Sequence, residues 1–427
     1  VRLQSGLEGG RINGLIAEGG WQLPDDIDGD GETDDLTGLY SMGTINKCVI
    51  RGELVGDVVS EHGRINSLVS NGGESGITGD VKAGGRIGAL RALGGGITGD
   101  ITSECIIGTI AATGGPVSGM ITSARGIGNI RAAGGVTGEI MTATGDVGAV
   151  LAVGSSPTGD VGSVLAPEGK IKSVVAVHGS VMGDVIARDS IGLVKAIRGD
   201  ICGGVIRGTR IGKLLAVKGS ISVEQIEATE GAIDSVVALG GDVAADIAAA
   251  GNIGGIRTTN GDIVSHITGG GQLGVLKTVR GDMAVSVEVE RLATVRVGGN
   301  LQAQIDATAA LARVSVGGDL ADSQFTVGDN GKLGALSVRG NIRNSTFEVG
   351  GRMGRVQGNG DLQNCSIDAG ELGRVRLGGQ VSSDDADFIA AARGRFLLAD
   401  ADERGWIDEL YEWDGVAYGG VRPSVGA

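Results

Sequence analysis

The sequence predicts an all-β fold, a single-stranded parallel β-helix (β-solenoid), from three observations. An apolar-Gly-x-apolar step recurs about every 20 residues over most of the 427-residue chain. Within each repeat, apolar and polar residues alternate with the two-residue period of a strand. Glycine interrupts every window that could hold a helix, and each interior glycine costs a helix about 1 kcal/mol. A fixed period in this range is typical of units that bury their apolar side only by stacking on their neighbours.

The first apolar residue of each step defines the repeat, and we call it the anchor. Coils of about 20 residues would each rise by one strand spacing of about 4.8 Å, and we expect about 16–18 of them. Coils of this length without strict hexapeptides favour a right-handed winding. The anchors are Ile65, Ile87, Ile107, Ile127, Val147, Ile171, Ile191, Ile211, Ile233, Ile253, Leu273, Leu292, Leu311, Leu333, Met353 and Leu372.

A glycine follows the anchor by eight residues in most coils, and by seven from Leu292 onward. A corner repeated in every coil requires either a positive φ or a close approach of the backbone, and glycine allows both. After the corner a second apolar stretch begins, and its first residues are often Gly-Asp followed by Ile or Val. The Arg-Gly-Asp tripeptides at 198–200 and 280–282 fall at this corner, so we interpret them as part of the repeat rather than as cell-attachment signals.

The position four residues after the anchor is expected to point outward. It is basic in seven coils, at Arg91, Arg131, Lys195, Arg257, Lys277, Arg296 and Arg376.

The composition indicates an elongated, aliphatic-cored protein. The chain has 83 glycines, 5 prolines and 2 % aromatic residues, and glycine is not every third residue, which excludes collagen. The formal net charge of -15 argues against a nucleic-acid partner. No apolar run is long enough for a membrane span. Because no two of the four cysteines share a phase in neighbouring coils, we expect unpaired, buried thiols.

An acidic stretch near the start has the spacing of a calcium loop. Hard Ca²⁺ prefers six to eight oxygen ligands, and a glycine at the sixth place, here Gly31, allows the sharp turn. The stretch resembles the calcium loops of EF-hand, dockerin and FG-GAP repeats, which implies Ca²⁺ as a cofactor. An acidic solvated turn is the alternative. The predicted ligands are Asp26, Asp28, Asp30, Glu32 (through its carbonyl) and Asp34.

The sequence divides into four regions: an uncapped N-terminal coil (1–20), the acidic calcium-loop insertion (21–42), the solenoid repeats (43–381) and an aromatic C-terminal cap or assembly segment (382–427). Six of the ten aromatic residues lie in the last region. An uncapped solenoid end exposes strand edges, and large rings dominate interface energetics. The predicted assembly residues are Ile12, Leu15, Phe388, Phe396, Trp406, Tyr411, Trp413 and Tyr418.

Catalytic motifs are not evident. His62, His178 and His266 lack an acidic partner at a fixed spacing, and no motif joins them to a nucleophile, so the sequence predicts no catalytic triad. Polysaccharide lyases and glycosidases of the β-helix kind are the enzymatic alternative, because they need only paired carboxylates, or a carboxylate with Arg and Lys, in a groove.

Two pairs of residues are predicted to stack across neighbouring coils. Phe325 and Phe347 lie one repeat apart at an inward phase, so we interpret them as core rather than as a sugar-stacking platform. Asn344 and Asn364 begin formal glycosylation acceptors, but they lie one repeat apart at the same phase, which favours a ladder of stacked polar side chains.

The segments 340–351 and 318–328 resemble the glycine-rich β-solenoid repeats of large secreted or surface bacterial proteins. The resemblance covers about residues 43–381 and implies surface structure, adhesion or extracellular fibres. The start at Val1 we interpret as the sign of a processed, exported polypeptide. We therefore expect a non-enzymatic extracellular or cell-surface structural protein that assembles with itself, head to tail, into a filament. A surface adhesin that binds glycans and a monomeric carbohydrate-active β-helix are the alternatives.

Overall fold

The computed structural model describes residues 15–18, 38–71, 76–155 and 159–379, and the backbone of three later strands at 387–390, 394–398 and 409–413. It confirms the predicted fold class: the chain is all-β, with parallel strands stacked as a β-solenoid of about 17 turns of about 20 residues. No helix occurs among the described residues. The chain divides into two units, Val1–Gly219 and Ser220–Ala427.

The described part of unit 1 contains nineteen strands. They are β1 (Leu15–Glu18), β2 (Gly38–Ser41), β3 (Cys48–Arg51), β4 (Asp57–Ser60), β5 (Ile65–Ser70), β6 (Val81–Ala83), β7 (Ile87–Ala92), β8 (Ile101–Ser103), β9 (Ile106–Ala112), β10 (Ile121–Ser123), β11 (Gly126–Ala132), β12 (Ile140–Thr142), β13 (Val147–Ser155), β14 (Val164–Ala166), β15 (Ile171–His178), β16 (Val185–Ala187), β17 (Ser190–Ala196), β18 (Ile201–Gly208) and β19 (Arg210–Ala216).

Each complete coil of unit 1 has a longer odd-numbered strand that holds the anchor and an even-numbered strand, which is mostly short. The odd strands pair in parallel with one another, and so do the even strands. Between them, single bridges link one apolar residue per coil, such as Ile77, Ile97 and Val117, all fully buried. Three apolar stacks per coil thus form one core, because each coil is too small to bury them alone.

Fifteen strands lie among the residues of unit 2 that the structure describes. They are β20 (Ile221–Ala228), β21 (Ile233–Ala238), β22 (Val243–Ala249), β23 (Ile253–Thr258), β24 (Ile263–Lys277), β25 (Met283–Val297), β26 (Leu301–Val316), β27 (Leu320–Ala321), β28 (Gln324–Val327), β29 (Lys332–Val338), β30 (Ile342–Gly358), β31 (Leu362–Leu377), β32 (Asp387–Ala390), β33 (Gly394–Leu398) and β34 (Glu409–Trp413).

The coils of unit 2 are built from two strand segments. In β24, β25, β26, β30 and β31 both segments belong to one strand of 15 to 17 residues with a register irregularity near its middle, for example between Val289 and Arg291. Such an irregularity bends the strand. Both segments turn alternate side chains into the same core, so their outward side chains leave the core in different directions.

The anchors form the predicted inward ladder in each unit. Neighbouring anchors are register partners from Ile65 to Ile211 in unit 1 and from Ile233 to Leu372 in unit 2. All sixteen are at most 3 % exposed. The partnership of Ile191 with Ile211 confirms the separation of one strand spacing that the repeat predicts.

Candidate functional site

The predicted calcium ligands Asp26, Asp28, Asp30, Glu32 and Asp34 lie outside the described residues. In sequence they lie between β1 and β2. These strands pair in parallel with β3 and β4, so they belong to the first described coil, and β2 falls inside the predicted insertion 21–42. Among the described residues, no group of three or more His, Cys, Asp or Glu side chains is arranged to hold a metal ion.

The structure gives backbone positions for five of the predicted assembly residues. Leu15 lies on β1 opposite Cys48. At the other end, Phe388 lies on β32 opposite Ile367, and Phe396 lies on β33 opposite Val375. Strand β34, which holds Tyr411 and Trp413, pairs with β33 in antiparallel fashion, the only antiparallel pairing in the described part of the chain. Ile12, Trp406 and Tyr418 lie outside the described residues.

A ladder of Asp and Asn side chains follows the Gly-Asp corner through unit 2. In each coil the side-chain Oδ1 accepts the backbone N–H of the corresponding residue in the next coil, as Asp282 does from Asn300 at 2.7 Å. The donor-acceptor distances of all six steps lie between 2.7 and 2.9 Å. We call this set the Asx ladder: Asp242, Asp262, Asp282, Asn300, Asp319, Asn341 and Asp361.

The Asx ladder explains the glycine that precedes most of its members. A Cβ built on Gly299 would overlap Oδ1 of Asp282, and the corresponding glycines of the neighbouring coils stand in the same relation to the ladder residue of the preceding coil. None of these glycines has a positive φ. Of the two reasons that the sequence left open for this glycine, the structure therefore selects close approach. The Asp of Arg280-Gly281-Asp282 is a ladder member, which supports the interpretation of that tripeptide as repeat structure.

The charged side chains on one side of unit 2 are mostly basic. This side consists of the outward residues of β23 and β29 and of the second segments of β24, β25, β26, β30 and β31. Ten of these side chains are basic, all but Lys277 are exposed, and one, Glu371, is acidic; β21, which pairs with β23, adds the exposed Asp234 to the same side. We call it the basic face: Arg257, Lys277, Arg291, Arg296, Arg313, Lys332, Arg352, Arg355, Arg374 and Arg376.

The other segment of each coil in unit 2 carries the opposite charge. Its outward residues include eight carboxylates and one basic residue, Arg343. Register places Glu288 next to Asp306, and Glu348 next to Asp368. We call this set the acidic face: Glu224, Glu227, Asp246, Glu288, Asp306, Asp322, Glu348 and Asp368. The sequence showed only part of this segregation, in the basic outward position after the anchor.

An open groove of about 560 Å³ lies on the acidic side of unit 2. Its lining includes Glu227, Glu288 and Asp306, together with Glu290 at the bend of β25. Glu288 and Asp306 are paired carboxylates on neighbouring strands, the arrangement that the enzymatic alternative requires. The two phenylalanines that could have served as sugar platforms are fully buried and stacked on each other at 5.0 Å, which confirms that they are core.

The expectation that His266 has no acidic partner at a fixed spacing is wrong. Asp246 and Ser286 lie in register on either side of it, each one repeat away, on three neighbouring strands. In the sequence, the repeat period was the signal that could have identified these two neighbours of His266. His266 and Asp246 are exposed, and the three side chains make no hydrogen bond with one another in the described structure. The row therefore lacks the oriented contacts that a catalytic triad requires.

The predicted Asn stack is present. Asn344 donates a hydrogen bond from Nδ2 to Asp322 at 3.0 Å and accepts one from Asn364 at 3.1 Å. All three residues have φ values of 48 to 49°, a left-handed conformation that Asn and Asp tolerate better than most residues.

The four cysteines, all within the described residues, form no disulfide. Cys48 and Cys365 are buried as expected, whereas Cys105, at the bend between β8 and β9, and Cys202, near the start of β18, are half-buried. Burial raises the pKa of the Cys48 thiol to about 11. The pKa of Cys202 is also raised, first by burial and then by the carboxylates of Asp200 and Asp160.

Comparison of the chain with protein-family models, with curated proteins and with solved structures finds no match. No helix of the described residues is long and apolar enough to cross a membrane.

Proposed function

We propose that the chain is a non-enzymatic structural protein of the extracellular space or cell surface, and that copies of it assemble head to tail into a filament. The observation that supports this is the pairing of the outermost strands. Within the described part of the chain, β1 pairs only with β3, β2 only with β4, and β32 only with β31. In the proposed filament, the second edge of each of these strands receives a parallel strand of another copy, which is a common mode of recognition.

The pairing of β34 with β33 restricts where this addition takes place. An antiparallel strand on β33 occupies the edge that a following parallel coil would use. The proposed contact therefore uses the edge of β32 at one end and the edges of β1 and β2 at the other. Aromatic residues of the C-terminal segment would bury apolar area around it, and each fully buried ring contributes on the order of 2 kcal/mol.

The test is electron microscopy and sedimentation of the intact protein beside a chain without residues 388–427. We expect filaments from the intact protein and folded, soluble monomers from the truncated one. Far-UV circular dichroism checks that the truncated chain keeps its β-structure. Filaments from the truncated chain, or an intact protein that stays monomeric at high concentration with calcium present, would contradict the proposal.

Calcium is part of the same proposal, as the ion that orders the stretch 21–37 between the two strands of the first coil. Calorimetry should give a heat of Ca²⁺ binding for the native chain that Asp28→Ala lowers, because Asp28 supplies one of the predicted oxygen ligands. The matched control is Asp57→Ala, a corner carboxylate outside the loop. Equal binding by the native chain and Asp28→Ala would remove the ion from the proposal.

The second candidate is a surface adhesin that binds anionic glycans. The basic face favours it, because ten basic side chains on one side of unit 2 would attract acidic sugars despite the net charge of -15. Retention of the native chain on immobilised polygalacturonate, and its loss after Arg296→Glu, would support the adhesin. No retention at low salt would contradict it.

A further inference from the structure

We propose that the basic face of one copy docks on the acidic face of a second copy, so that solenoids associate side by side. This contact is independent of the head-to-tail contact, because it uses the flanks of unit 2 and not the edges of its outermost strands. The argument rests on charge, on register and on the repeat.

The basic face brings like charges together on neighbouring strands. Lys277 is the register partner of both Arg257 and Arg296. Like charges directly opposite one another on neighbouring strands are destabilising. Two of its basic side chains already have a carboxylate beside them: Oε1 of Glu371 lies 3.4 Å from Nε of Arg352, and Oε1 of Glu290 lies 3.4 Å from Nε of Arg291. A surface that supplies carboxylates to the other rows would relieve the repulsion.

The acidic face of the same unit supplies such carboxylates at the same spacing. Glu288 and Asp306 occupy neighbouring rows, as do Glu348 and Asp368, and each row corresponds to one coil. The basic face has the same one-coil repeat. Carboxylates of one copy can therefore meet basic side chains of another over several rows at once.

A second copy fits better than an extended polyanion for two reasons. The net charge of -15 opposes the approach of a polyanion and of a second copy alike, but only the second copy holds its carboxylates at the one-coil spacing of the basic rows. Each copy also carries both complementary faces on different sides. The contact is therefore heterologous, and each added copy leaves a basic face and an acidic face for further copies.

The test uses two triple variants of the full chain. One reverses the basic face with Arg296→Glu, Arg313→Glu and Arg355→Glu. The other reverses the acidic face with Glu288→Lys, Asp306→Lys and Glu348→Lys. All six positions are exposed, and circular dichroism monitors folding. The control is Arg91→Glu, Arg131→Glu and Lys195→Glu on unit 1, which changes the net charge by the same amount as the first variant.

Sedimentation at low salt should show side-by-side association of the native chain and of the control, and a dissociation constant at least about tenfold higher for each triple variant alone. Mixing the two variants should restore association, because one then has two acidic faces and the other two basic faces. High salt should weaken every one of these contacts, since the Debye length falls from about 10 Å at 0.1 M to about 3 Å at 1 M.

Carbodiimide cross-linking of mixed isotope-labelled and unlabelled native copies identifies the side chains that meet between copies. It needs no substitution, so the folding of a variant does not affect the result. We expect intermolecular links from Lys277 or Lys332 to Glu288 or Asp306, whether or not filaments also form. The proposal is overturned if these links are absent at low salt, if either triple variant associates as the native chain does, or if mixing the variants restores nothing. It is also overturned if the native basic face binds polygalacturonate while no copies associate through it.

Discussion

Replacing Gly299 by Ala should destabilise the native chain but stabilise a chain that lacks the Asp282 carboxylate. A Cβ at residue 299 overlaps Oδ1 of Asp282, and the next nearest atoms are the carbonyl oxygen of Gly281 at 3.1 Å and Cγ of Asp282 at 3.2 Å. In the native chain the carboxylate must therefore move away. The hydrogen bond that it accepts from the Asn300 N–H at 2.7 Å is then lost.

The magnitude follows from three effects. Loss of the hydrogen bond to a charged acceptor costs about 1–2 kcal/mol at this exposed position. Replacing a glycine whose φ is not positive recovers about 0.4–1 kcal/mol, because the unfolded chain becomes less flexible. The net cost of Gly299→Ala in the native chain is therefore about 0.5–1.5 kcal/mol. In the Asp282→Ala chain both the overlap and the bond are gone, so the same change should stabilise by up to about 0.5 kcal/mol.

The assay is urea unfolding, monitored by far-UV circular dichroism, of the native chain, Gly299→Ala, Asp282→Ala and the double variant. The free energies are compared with one common dependence on urea concentration. Because repeat proteins can unfold in stages, amide exchange at Asn300 serves as a local measure of the same bond. The control is Gly298→Ala, whose Cβ overlaps the backbone carbonyl of Val279 and should cost the same with or without Asp282. If Gly299→Ala costs the same in both backgrounds, the ladder does not explain this glycine.

Three further predictions concern the core and the stacks. Phe325→Leu and Phe347→Leu should show a coupling free energy of about 0.5–1.5 kcal/mol in a double-mutant cycle, because the rings stack at 5.0 Å, and additive effects would contradict that contact. The free energy of unfolding of Asn344→Ala should be about 1 kcal/mol lower than that of Asn344→Gly, because the φ of 48° is strained for a residue with a Cβ. Equal urea midpoints of the two variants would argue against the strain. Burial favours the neutral Cys48 thiol, so its contribution to the free energy of unfolding is complete below pH 9.0 and is lost as the pH rises to about 11. Cys48→Ala should reduce this slope in alkaline urea titrations, and an unchanged slope would contradict the raised pKa.

The inward half of the fold could be predicted from the sequence because it repeats. Anchors such as Ile191 and Ile211 recur once in every repeat, and only stacking can bury a stripe of that period, so their pairing follows from spacing alone. The same reasoning placed Phe325 on Phe347 and Asn344 beside Asn364 in neighbouring coils. The same reasoning, had it been applied to His266, would have placed Asp246 and Ser286 one repeat away on either side of it. A motif within one segment does not contain these neighbours.

Only part of the two charged faces could be read from the sequence, in the basic outward position after the anchor. Along the chain, Glu288 and Arg291 are only three residues apart, and nothing in a linear pattern indicates that the bend of β25 sends them to different sides of the core. The strict strand alternation breaks at this bend, so a phase counted from the anchor does not continue through it. Charges that are mixed in sequence therefore become segregated in space.

By itself, the sequence determined the parallel solenoid, the identity of the core ladder and the place of glycine at each corner, because these depend on a period that is visible in one dimension. The tertiary structure alone decided why that glycine is needed. In unit 2 this glycine leaves room for the side-chain Oδ1 of the Asp or Asn in the preceding coil, which is a contact between residues in successive repeats. It also decided which charges share a face, since the direction of an outward side chain depends on where its strand bends around the core.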